Sequence, residues 1–96
     1  MTIDFNKNEG NLSISLSGRL DTVTAPELES FLKENYDGIK SLTIDCESLA
    51  YVSSAGLRVL LAASKKMKGS MKLRNVNELV MEVFEMTGFI DILVIE

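Results

Sequence analysis

The chain of 96 residues contains no histidine and no tryptophan, and cysteine and proline occur once each, at Cys46 and Pro26. Without histidine, a Ser-His-Asp triad, a Cys-His dyad and the ordinary zinc sites cannot be assembled from it. One cysteine cannot close an internal disulfide, which excludes a disulfide-stapled secreted fold. Positive charge is also short: ten Lys and Arg stand against fourteen Asp and Glu, a formal charge of −4 with pI near 4.8. Nucleic-acid binding normally needs a basic face, so no nucleic-acid partner is expected. No run approaches the ~18–20 consecutive apolar residues of a membrane span, and no basic stretch followed by an apolar one opens the chain. No membrane contact is expected; the protein reads as cytoplasmic and used whole, with no cofactor, no metal and no enzyme activity.

The composition that remains, 46% apolar and 25% charged, suits one domain over residues 1–96 built on a single core. Ile3 and Phe5 alternate with polar neighbours, and Asn8-Glu9-Gly10-Asn11 reads as a turn. Leu12, Ile14 and Leu16 then alternate with Ser13, Ser15 and Ser17, the period of a strand with one buried face, so the two segments predict a hairpin. Thr24 followed by Glu27 predicts a capping box, with Pro26 in the first turn of a helix whose stripe is Leu28, Phe31 and Leu32. Gly38 lies past its end. Leu42, Ile44 and Cys46 alternate as the next strand, and Ser53-Ser54-Ala55-Gly56 opens a second helix with Leu57, Leu60, Leu61 and Ser64 at helical spacing. The basic run Lys65-Lys66-Met67-Lys68 before Gly69 suits the negative end of that helix better than a nucleic-acid contact. Met71 to Arg74 predicts a short strand. Asn75 with Glu78 predicts the start of a third helix, with Leu79, Val80, Val83 and Phe84 inward and Gly88 as its stop. Ile90 to Ile95 predicts a final strand. The order is ββαβαβαβ, an α/β fold on a mixed, mostly parallel sheet with covering helices.

In such sheets ligands and partners meet the loops at the carboxyl ends of strands. Gly18-Arg19-Leu20-Asp21-Thr22 and Ala50-Tyr51-Val52-Ser53-Ser54-Ala55-Gly56 are the two such segments with unusual residues. A helix needs one cap. If Ser53 supplies it, Ser54 stands at the first helical position with a free hydroxyl, where N–H groups and the dipole tolerate a phosphate. Ser-Ser before a helix is also ordinary capping chemistry, and a serine nucleophile has no base here to activate it. Gly56 costs about 1 kcal/mol inside a helix, which points to close packing or close approach of a partner. Arg58, one turn after Ser54, can pair with a phosphate or an acidic partner, or simply lie exposed. Asp45 and Glu47 flank Cys46, which reads as a small core residue, and without histidine the carboxylates read as solvated charge rather than a metal site. No complete phosphate-binding loop and no GxGxxG occur.

The segment Ala50-Tyr51-Val52-Ser53-Ser54-Ala55-Gly56-Leu57-Arg58-Val59-Leu60-Leu61 resembles the signature of STAS domains, the family of bacterial anti-sigma-factor antagonists. Gly18-Arg19-Leu20-Asp21 with Thr24-Ala25 resembles the family's second signature, and the element order agrees over nearly the whole chain. The resemblance implies a STAS-like fold and a non-enzymatic switch. The unphosphorylated antagonist binds an anti-sigma factor that is also a serine kinase and so releases a sigma factor; phosphorylation breaks the complex and a phosphoserine phosphatase resets it. Ser54 matches the acceptor, with Ser53 as the alternative, and Asp21 matches the acidic residue of the neighbouring loop. The implied partner surface is Asp21, Thr22, Ser53, Ser54, Gly56, Leu57 and Arg58. Ser53 stands where the family usually has Asp. Many members also carry a terminal helix after the last strand, where this chain ends at Glu96, so one sheet face is expected to be less covered. The rival reading is a STAS docking subunit of a transporter or sensor complex, working without phosphorylation.

Overall fold

The computed structural model describes all 96 residues. The alternation of Leu12, Ile14 and Leu16 becomes strand β2 (Asn11–Leu20), paired antiparallel with β1 (Thr2–Asn8) through a two-residue turn. Both turn residues, Glu9 (φ 50°) and Gly10 (φ 85°), are left-handed, as the tight hairpin turn that matches strand twist requires. Strand β3 (Ser41–Val52) lies parallel to β2, and β4 (Met71–Arg74) parallel to β3, giving the order β1-β2-β3-β4. Helix α1 (Ala25–Asn35) connects β2 to β3, α2 (Ser54–Met67) connects β3 to β4, and α3 (Glu78–Thr87) follows β4.

Sequential parallel neighbours joined by right-handed crossovers place their helices on one side of a sheet. The core obeys this. Leu12, Ile14, Leu42, Ile44, Met71 and Leu73 from the strands meet Leu28, Leu32, Leu57, Leu60, Val80 and Phe84 from the helices in one buried cluster. The opposite sheet face is open and polar: Asp4, Asn6, Ser13, Ser15, Thr43, Asp45 and Arg74 line a shallow hollow there.

Five expectations are corrected. Strand β3 runs on to Val52, because its register shifts by one residue between Asp45 and Ser48 and again between Leu49 and Tyr51. Each shift breaks the period of two, so the buried positions run Leu42, Ile44, Cys46, Leu49, Val52. Ala50 to Val52 and Gly18 to Leu20 are therefore strand, with the loops beginning later. The start of α1 is not held by a Thr24–Glu27 box: Thr24 makes no side-chain cap bond, and Asp21 instead closes the turn before the helix, accepting from the N–H groups of Val23 (3.0 Å) and Thr24 (3.1 Å). Helix α3 is capped by Asn77, whose Oδ1 accepts from Val80 N at 3.0 Å, while Asn75 is left-handed at φ 54°. Its Leu79 points outward, 56% exposed, while Val80 and Phe84 are buried. Finally, the last strand is a 3-10 turn, Phe89–Asp91, followed by a single parallel bridge between Leu73 and Ile95.

Asn77 also ties α3 to the irregular part of β3, its Nδ2 donating to the carbonyl oxygen of Leu49 at 2.7 Å and of Cys46 at 3.5 Å. The bulge that breaks the strand's period thus has its freed carbonyls satisfied from the next helix.

Candidate functional site

Strands β2 and β3 end side by side, with Leu20 opposite Val52. The Ser53 N–H donates to the Leu20 carbonyl at 2.9 Å, closing the two loops into one surface. Ser53 is extended at φ −90°, ψ 175°, and its Oγ accepts from Gly56 N at 3.3 Å, so it caps α2. Ser54 is consequently the first helical residue, and it is exposed. At that position the first N–H groups of the helix have no intrahelical carbonyl, and the dipole's positive end faces outward.

Gly56 has a packing reason. A Cβ there would lie 2.7 Å from Leu20 Cγ and 2.9 Å from the Leu20 carbonyl oxygen, so the first turn of α2 sits directly on the end of β2. Gly56 is buried and Leu57 is 5% exposed. Both seat the helix, because close helix–strand contact takes up that face.

Asp21 anchors the other loop. Its carboxylate is held below the usual range chiefly by the Thr24 N–H; partial desolvation opposes this, and the Val23 N–H, the Thr24 hydroxyl and Arg19 add to the lowering. The Thr24 hydroxyl donates to the Arg19 carbonyl at 2.6 Å. Arg19 pairs with Asp21 (Nε–Oδ2 3.5 Å) and lies over the Tyr51 ring, 4.4 Å from its centroid. This stack across β2 and β3 is the part sequence reasoning missed. Its only signal was that Arg19 and Tyr51 both precede the two loops. Thr22 and Arg58 are exposed and border one hollow of about 200 Å³. The structure therefore gathers Asp21, Thr22, Ser53, Ser54 and Arg58 at one end of the sheet and adds Arg19 and Tyr51. Cys46 lies elsewhere, in the core, its thiol pushed up to about 12 by burial first and the Asp45 charge second.

Element order, sheet topology and this loop pair define a single small α/β domain with a four-stranded mixed sheet and three helices. Residues 2–96 match the family model of the STAS domain, and the chain belongs to that family. It is 31% identical over 96 residues to a Bacillus subtilis protein, the anti-sigma-B factor antagonist, spanning 97% of this chain and 88% of that one. Among solved structures, an anti-sigma factor antagonist from Mycobacterium paratuberculosis has a TM-score of 0.86 at 26% identity, covering 98% of this chain and 83% of that one. The anti-sigma factor antagonist SpoIIAA in its unphosphorylated form has a TM-score of 0.83 at 17% identity, over 99% and 88% of the two chains, a likeness of fold alone. No helix is long and apolar enough to cross a membrane.

Proposed function

We propose that this chain is a cytoplasmic anti-sigma factor antagonist, a non-enzymatic binding module switched by phosphorylation of Ser54. Unphosphorylated, it holds an anti-sigma factor with serine kinase activity and so frees a sigma factor; a phosphoserine phosphatase restores the binding form. The observation that carries this reading is the division of labour between two adjacent serines. Ser53 is occupied as the cap, and Ser54 is exposed at the start of α2, one turn before the exposed Arg58. A phosphate there adds about −1.5 to −2 of charge without breaking a cap or entering the core. Enclosing that charge in an interface shaped for a neutral hydroxyl costs several kcal/mol unless cations meet it. The switch then acts on affinity and leaves the domain folded.

Incubation with an anti-sigma factor kinase and ATP, then peptide mass spectrometry across residues 47 to 65, should find phosphate on Ser54. Ser54→Asp should weaken kinase binding at least about tenfold with an unchanged circular dichroism spectrum. Equal affinity of Ser54→Asp and wild type would sink the switch. The second reading, a docking subunit that needs no phosphorylation, is favoured by Ser53 at the position where the family usually has Asp; binding to that kinase with no phosphate on either serine would select it.

A further inference from the structure

The chain carries net charge −4, yet α2 contains Arg58, Lys65 and Lys66 and no acid. Between α1 and α2 lie two adjoining hollows of about 200 and 210 Å³, both bordered by Glu29 and Val59, which together mark a groove along the two helices. One end opens at Thr22 and Arg58, beside Ser54. The other ends at Tyr36 and Lys66, where the ammonium sits 5.8 Å from the ring centroid. From Arg58 to Lys66 the helix rises about 12 Å, roughly two turns. Val59 and the exposed Ala62 provide an apolar floor of small side chains, Arg58, Lys66 and Lys33 are the bordering cations, and Glu29 is the one acid, 3.6 Å from Lys33.

We propose that this groove is the second half of the docking surface and receives one acidic amphipathic helix of the same anti-sigma factor, an inference that rests on the function proposed above. A floor of small apolar residues admits a close ridge, and the cationic rims select carboxylates flanking that ridge. Its Thr22–Arg58 end lies one helical turn along α2 from Ser54, so one partner can cover both. A second copy of this chain is the weaker occupant. Its acidic helix, α3 with Glu78, Glu82 and Glu85, comes with a whole chain of net charge −4, so self-docking works against the repulsion of two like-charged copies.

The test measures binding of the anti-sigma factor kinase to wild type, Lys66→Glu and Glu29→Lys at about 50 mM and about 500 mM salt, with self-association followed by light scattering. Lys66→Glu should weaken binding about tenfold and Glu29→Lys should tighten it about threefold, both effects shrinking at high salt. The gain expected for Glu29→Lys cannot arise from misfolding. If both variants stay within about twofold of wild type while Ser54→Asp still disrupts the complex, the groove is overturned and the switch stands. Self-association of wild type that Lys66→Glu abolishes overturns it too, assigning the groove to a second copy. Failure of the wild-type chain to bind any such kinase removes the proposal together with the function beneath it.

Discussion

Gly56 and Cys46 show how single residues here are fixed by what surrounds them. Replacing Gly56 with Ala gains up to about 1 kcal/mol of helix propensity, but the new methyl meets the Leu20 backbone carbonyl at 2.9 Å, which no rotamer change relieves. Overpacking of this kind costs about 1–3 kcal/mol, so Gly56→Ala should lower the urea midpoint with no change in slope. Cys46 is buried, and with its thiol near 12 almost no thiolate exists at neutral pH. A thiol reagent at pH 8 should leave the native protein unlabelled and modify it only once urea unfolds it. Asp21 belongs to the same scale: it was read as a partner residue, and its carboxylate also closes the turn that leads into α1.

Elements carry the main lesson about reading such a chain. Where hydrophobic periodicity was unbroken, as in β2 or in the Leu57–Leu60 stripe of α2, the elements and their buried faces were legible. The upper half of β3 was not, because two register shifts move Leu49 and Val52 off the alternation that marks a strand. Two asparagines lie two residues apart before α3, and local pattern does not decide between them. Asn77 is the cap because only it also reaches the carbonyls of Leu49 and Cys46 across the fold. Asn77→Ala should therefore cost about 2 kcal/mol, a cap plus an unsatisfied carbonyl, whereas Asn77→Ser, which keeps a capping oxygen and loses the donor, should cost about half as much. Chemical denaturation of the two variants measures the difference. At the site, the serine pair and its division into cap and free hydroxyl were legible; the Arg19–Tyr51 stack needs β2 and β3 in register and could not be seen in one strand alone.

At the scale of the molecule, helices on one sheet face leave an asymmetric object whose stability is graded. β2 and β3 lie in the interior of the sheet, while the segment after α3 is held by one bridge, the hydrogen bonds of Leu73 with Val94 and Glu96, and ion pairs of Glu96 with Lys72 and Arg74. In native-state hydrogen exchange the amides of residues 92 to 96 should lose protection well before that of Ile44. The other end of the molecule is built differently. There the Ser53 amide is stitched to the Leu20 carbonyl and Gly56 is pressed on the same residue, so the two loops share one rigid seam. A regulator written on that seam has no hinge to throw and no spring to release. Under the phosphorylation proposed above, its two states would be the same sculpture under different charge, and the memory of a signal would last only as long as the ester bond that records it.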